Sequence, residues 1–210
     1  MRTWPIVAGL VSLGVALVAA PAPAVADVLV PNAPDTNGIR AIGKGIKEIG
    51  AESLLVLNYS KEGSASSVRT TNITGVSFRY FIINNLNLEL NASYFYKGDN
   101  AVARQGGLVT LGGNYLINIG RGLFLNPGIA GGGFYGKQPI KDAPPGTPSL
   151  TLVGGAARLG FGLSFYASPK FNLFARPEAV LFIGKVGQGS TETSLLNIDG
   201  GFNVGMNYVF

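Results

Sequence analysis

Histidine and cysteine are both absent from the 210-residue chain. Without cysteine there is no disulfide to staple the fold and no thiol to carry a lipid anchor. Without either residue a zinc site is implausible, and a serine has no imidazole base to activate it. Charge is also sparse, at 13% of residues. Past residue 26, no stretch holds 18 consecutive apolar residues, which excludes a membrane-spanning helix. These absences argue against an enzyme, a metalloprotein and a helical membrane protein.

What is present begins with "MRTWPIVAGLVSLGVALVAAPAPAVADV". Arg2, an apolar run from Trp4 to Ala20 and the small-residue site Ala24-Val25-Ala26 predict a secretory signal peptide over 1–26, cut after Ala26. Of 16 basic residues that segment holds only Arg2, so the remainder carries a net charge of +4 against 11 acids. Residues 27–45 form an N-terminal leader segment. Ile39, Ile42, Ile46 and Ile49 have helix-like spacing, but Gly38, Gly43, Gly45 and Gly50 disfavour a helix and point to a flexible run into the first strand.

From there the apolar pattern has period two. Eight segments carry it: 46–60, 70–83, 86–96, 107–119, 122–136, 150–167, 170–184 and 197–210. Their connections alternate in length. Tight turns are centred on residues 84–85, 120–121 and 168–169, whereas "KEGSASSVR", "KGDNAVARQ", "KQPIKDAPPGTPS" and "KVGQGSTETSLL" are long and polar. A soluble meander has no reason to sort its connections in this way. An outer-membrane barrel does, with short periplasmic turns and long external loops. The expected fold is therefore all-β, an eight-stranded antiparallel up-and-down transmembrane β-barrel over 46–210.

The faces sort by composition. One holds Leu55, Val76, Phe78, Tyr80, Leu88, Leu90, Leu111, Leu159, Phe161, Leu163, Phe202, Val204 and Met206. The other holds Glu52, Ser77, Arg79, Asn87, Glu89, Asn91, Asn114, Arg158, Arg176, Glu178, Asp199, Asn203 and Asn207, and no lysine. A water-facing surface is usually dense in lysine and glutamate. The second face is not, so it is assigned to the barrel interior and the first to lipid. Aromatic residues near strand ends (Tyr59, Tyr80, Tyr94, Tyr96, Tyr208, Phe210) fit interfacial girdles.

"RYFIINNLNLELNASYFY" and "LGFGLSFYASPKFNLFARPEA" resemble the repeated strand-turn-strand units of the bacterial outer membrane protein β-barrel domain family, and "KGIKEIGAE" is similar to the way that family opens its first strand. The resemblance covers about residues 44–210. It implies a monomeric eight-stranded barrel and no single function. Pro177 departs from the pattern and predicts a bulge or local break in the seventh strand. The ending "GMNYVF", with Tyr208 and Phe210 on an alternating strand, resembles the recognition signal of the bacterial barrel-assembly machinery. Known enzymatic barrels of this membrane rely on histidine, which this chain lacks, so no catalytic residue, cofactor or metal is expected.

Two sets of residues remain for a functional role. Arg79, Glu89, Arg158, Arg176 and Glu178 form an expected polar network in the lumen, with Glu48 and Glu52 as further partners. They serve either as a plug or, with inward glycines such as Gly128, Gly160 and Gly162 leaving room, as the lining of a narrow channel. Lys61, Arg69, Lys97, Arg104, Lys137, Lys141 and Lys185 give the loops a positive excess suited to lipopolysaccharide phosphates. Scattered cations without interleaved aromatics do not suggest nucleic acid. The leading expectation is a non-enzymatic barrel with a structural or surface-interaction role. The alternatives are a small pore or lateral path, and a soluble exported ligand-binding barrel.

Overall fold

A computed structural model of the chain describes residues 28–29, 39, 41–62, 65–98, 103–140, 143–144, 146–188 and 191–210, with the side chains of 28–29 and 57–70 outside that description. The expected signal peptide lies outside the described residues. Those described form strands, turns and extended chain, with no helix.

Eight long strands follow one another: β1 (Lys47–Glu62), β2 (Ala65–Ile83), β3 (Leu86–Gly98), β4 (Arg104–Tyr115, resuming after Leu116 as Ile117–Gly120), β5 (Leu123–Gln138), β6 (Leu150–Ser168), β7 (Phe171–Gln188) and β8 (Thr191–Val209). Each pairs antiparallel with its sequence neighbours. The ring is completed by β8 against β1, from Val209↔Glu48 to Phe202↔Leu55. A closed ring leaves no sheet edge where lipid would strand backbone groups. Above Leu55 and Phe202 the closing ladder ends, although β1 stays paired with β2 to Glu62 and β8 with β7 from Thr191.

Alternating burial fixes the faces. Along β3 the odd residues Asn87, Glu89, Asn91, Ser93 and Phe95 are buried while Leu88, Leu90, Tyr94 and Tyr96 are exposed. The same holds on β6 and β8, where Leu159, Phe161, Val204 and Met206 are 49–62% exposed. An apolar surface running right round a sheet, with charges on its concave side, is stable only when the outside is hydrocarbon.

The short turns fall where expected, with the second and third shifted by one residue to 121–122 and 169–170. Asn85 (φ 67°) takes the left-handed region, which asparagine tolerates better than most residues. The long connections are shorter than expected at two sites. β1 and β2 run through "KEGSASSVR" to leave only 63–64 between them, and β7 and β8 leave only 189–190. Above the lipid band a strand can be polar on both faces, so apolar periodicity does not reveal it. In "KQPIKDAPPGTPS" the described residues past Gln138 form no strand before Leu150, since its prolines cannot donate to a ladder.

Pro177 makes no bulge. Within the ladder, pairing of β7 with β6 lapses at Arg176 and Pro177. Ala175↔Leu163 and Glu178↔Gly160 keep one register across the gap, and Pro177 still faces Phe202 on β8. The proline costs ladder bonds on one side only.

The described leader residues from Ile39 on do not trail away from the barrel. Ala41–Ile42 pairs in parallel with Val28–Leu29. The chain then turns at Lys44 and Gly45, where glycine supplies φ 89°, and lies across the short-turn mouth. Asn85 holds it there. Its backbone N–H donates to Ile42 O (2.9 Å), and its Oδ1 accepts the Ile42 N–H (2.7 Å). Asn84 Oδ1 accepts the Lys44 N–H (3.0 Å), and Asn118 Nδ2 donates to Ile39 O (3.1 Å).

Candidate functional site

The barrel interior is built in three layers. At the short-turn mouth Ile39 and Ile42 from the leader, with Ile46 just after it, pack on Phe81, Leu116, Phe124, Tyr166 and Val209. Ile42 is completely buried. Leu116 reaches this cluster by interrupting β4, and its N–H bonds to Asn85 O at 2.8 Å instead of to a neighbouring strand. Tyr166 closes edge-on against Phe124, with ring centroids 5.5 Å apart, and turns its hydroxyl upward to donate to Glu48 Oε1 at 2.6 Å.

That hydrogen bond enters the second layer, where four glutamates (Glu48, Glu52, Glu89, Glu178) and three arginines (Arg79, Arg158, Arg176) are buried together. Arg158 spans two acids, with Nε on Glu178 Oε1 (2.6 Å) and Nη2 on Glu52 Oε1 (2.5 Å). Arg176 donates Nε to Glu178 Oε2 (2.8 Å) and Nη1 to Asn114 Oδ1 (2.9 Å), and its Nη2 lies 3.6 Å from Glu89 Oε1. Arg79 donates Nε to Glu89 Oε2 (2.5 Å) and lies 3.5 Å from Glu48. Both Arg79 and Arg176 sit over the Phe174 ring, at 4.8 and 5.5 Å. Asparagines donate to the same carboxylates: Asn91 to Glu52, Asn114 to Glu89, Asn203 to Glu178 and Asn207 to Glu48. Buried charge is tolerable only when paired and hydrogen-bonded in this way.

Inward glycines give the arginines their space. A methyl group on Gly160 would come within 3.0 Å of the Arg176 side chain, and one on Gly128 would strike the Asn114 amide. The room left by the glycines is therefore filled. A cavity of about 10 Å³ remains between Glu89, Asn114, Arg158, Arg176 and Glu178, close to what a single water occupies.

The third layer is apolar again. Leu54, Val56, Ile73, Leu108, Leu152, Val180 and three phenylalanines fill the lumen toward the long loops. The rings of Phe95, Phe134 and Phe182 meet at centroid distances of 5.2–6.3 Å, two of the three contacts edge-on. Above them Lys97 donates to Asn197 (2.8 Å) and Asp199 (2.9 Å), and Arg104 Nε donates to Gln138 Oε1 (2.7 Å).

The structure thus brings Arg79, Glu89, Arg158, Arg176 and Glu178 into one network, joined by Glu48 and Glu52. The loop cations do not form one group. Lys97 and Arg104 are engaged at the top of the lumen, while Lys137 and Lys185 are exposed, Lys185 paired with Glu192 at 2.5 Å. The side chains of Lys61 and Arg69, and the whole of Lys141, lie outside the described set. Tyr208 and Phe210 stack on the outer face with centroids 6.4 Å apart, and β1 holds the last residue by mutual Lys47–Phe210 backbone bonds of 2.9 and 3.1 Å. Sequence reasoning missed the two apolar layers. The signal of the layer toward the long loops was the loss of alternation in "SLLVL" and "AVLFIG", where consecutive apolar residues serve both faces.

No family model and no curated protein matches the chain. Solved structures do. Neisserial surface protein A aligns with a TM-score of 0.58 at 14% identity, over 81% of this chain and 99% of that one. The attachment invasion locus protein Ail of Yersinia pestis aligns at 0.50 and 14% identity, over 80% and 99%. At such identities the likeness speaks for the fold, and the fold is that of the small bacterial outer-membrane β-barrels.

Proposed function

We propose that this chain is an integral outer-membrane barrel that conducts nothing and catalyses nothing, with a structural or surface-interaction role in the outer leaflet. The observation that carries the reading is the filled lumen: an ion-pair network between two apolar layers, with room for about one water. A pore needs a continuous polar path, and three phenylalanine rings interrupt it on one side and three isoleucines on the other. The lack of histidine and cysteine supports the non-enzymatic half of the proposal. Among the described residues, contact with lipopolysaccharide phosphates is assigned to the exposed Lys137 rather than to Lys97, Arg104 and Lys185, whose side chains already hold hydrogen-bond partners within the barrel.

Reconstitution in a planar bilayer tests this. The expected result is a silent membrane at all voltages after insertion is verified. Stable single-channel steps from the unmodified protein would remove the sealed-lumen reading and favour a pore.

A further inference from the structure

We propose that the lipid-facing wall of β1 and β2 is the surface through which two copies of this chain pair in the membrane, held by a polar cluster at Ser53, Asn72 and Thr74. This goes beyond the surface-interaction reading and does not depend on the sealed lumen. It departs from the monomer that the family resemblance implies.

The outward face through the middle of the apolar band carries residues such as Leu111, Leu159 and Phe202 on other strands. On β1 and β2 it carries Ser53, Thr74 and Asn72 instead. Ser53 faces Thr74 across the ladder, and Asn72 lies two residues from Thr74 on the same face of β2. At about 2.5 Å of height per residue in a tilted strand, Thr74 and Asn72 stand about 15 and 20 Å above Tyr80 at the lower girdle. Both heights fall inside an apolar band of about 25 Å.

The three side chains close on one another. Ser53 Oγ donates to Asn72 Oδ1 at 3.2 Å, Thr74 Oγ1 donates to the same oxygen at 2.8 Å, and the two hydroxyls lie 3.3 Å apart. One end of the amide is thereby used. The other end, Nδ2, has no partner among the described residues. Hydrocarbon offers it none, and an unmet N–H there is costly.

The cluster is complementary to itself. It presents the Nδ2 donors beside two hydroxyl oxygens that keep lone pairs free to accept. Two copies related by a two-fold axis along the membrane normal bring the same patch together at the same depth. Each Asn72 Nδ2 then meets the hydroxyls of the other copy, and polar side chains bridge protein surfaces inside a bilayer in this way. A lipid tail could supply no acceptor. Beside the cluster the exposed residues Ala51 and Ala92 are short, which lets the two walls approach.

The test is cross-linking of the full chain in phospholipid vesicles at falling protein-to-lipid ratio. Because the chain has no cysteine, Ala51→Cys, Val76→Cys and Leu159→Cys each supply a single site for a short bifunctional maleimide. The proposal expects covalent dimers through positions 51 and 76 at dilutions where position 159, on the far side of the ring, gives none. In the Val76→Cys protein, Asn72→Leu should move the midpoint of the dilution series roughly tenfold toward higher protein, as the loss of a hydrogen bond worth about 1–2 kcal/mol in a membrane would. Thr74→Val, which removes an acceptor, should move it the same way. Both replacements suit lipid, and urea unfolding in the same vesicles verifies that they fold. Monomers at every dilution would leave lipid as the cover of this wall and overturn the proposal. Equal cross-linking at 76 and 159, or a midpoint unmoved by both replacements, would also overturn it. None of these outcomes bears on the silence expected in the planar bilayer.

Discussion

Glu178→Ala is expected to destabilise the barrel by about 3–5 kcal/mol, the cost of stranding buried charge. The Glu178 carboxylate accepts from Arg158 at 2.6 Å, from Arg176 at 2.8 Å and from Asn203 at 2.9 Å. Two guanidinium groups therefore lose their shared acceptor at once, in a cavity too small to admit a hydration shell. Glu178→Gln keeps one acceptor oxygen and should cost less, so the ordering Ala worse than Gln belongs to the prediction. Urea unfolding of the protein refolded into phospholipid vesicles measures both. A wild-type midpoint for Glu178→Ala would mean that the network is not closed to water. The network is not for that reason a source of net stability, since replacing all of it by well-packed apolar side chains of the same volume is often neutral or stabilising. What it supplies is a unique filling of the lumen, in which each arginine is fixed by two partners on different strands.

The second large effect lies on the other face. Val204→Arg should cost about 2–4 kcal/mol in a bilayer, as a cation does at the midplane of a membrane barrel. Val204 faces outward on β8 and is half-exposed, and its position five residues from Val209 puts it about 12 Å above the short-turn rim, near the middle of the apolar band. On a water-facing surface the same change would fall within about 0.5 kcal/mol of zero. The same urea titration, with Lys137→Ala as a control expected to do nothing, separates the two environments.

The strands were legible because hydrocarbon outside and amides inside impose strict alternation, and "LNLELNASYFY" shows it residue by residue. Arg79, Arg158 and Arg176 could be placed inside because each falls on the face without lysine. Their partners were less legible. Pairing Arg158 with Glu52 joins strands far apart in sequence across the ring, and only the register decides it. Alternation marks a strand only while its two faces differ, so it falls silent in two places. Above the membrane both faces are polar, which hid the extension of β7 and β8 toward residues 189–190. At the ends of the lumen both faces are apolar, which hid the phenylalanine layer and the Ile42 plug. Of the glycines that argued for a flexible leader, Gly45 marks a turn, whereas Gly50 lies within β1. Spacing along the chain does not show that Ile39, Ile42 and Ile46 have an open barrel mouth to fill.

The central claim is the phase of the alternation: even residues of lower β8 in lipid, odd ones in a dry interior. Because the chain has no cysteine, single cysteines can be placed at each position from Phe202 to Tyr208, spin-labelled, and read for collision with dissolved oxygen and with a water-soluble nickel chelate in vesicles. The account predicts oxygen accessibility peaking at 202, 204, 206 and 208, with the chelate excluded throughout. Chelate access at those even positions would place this face in water and contradict the account.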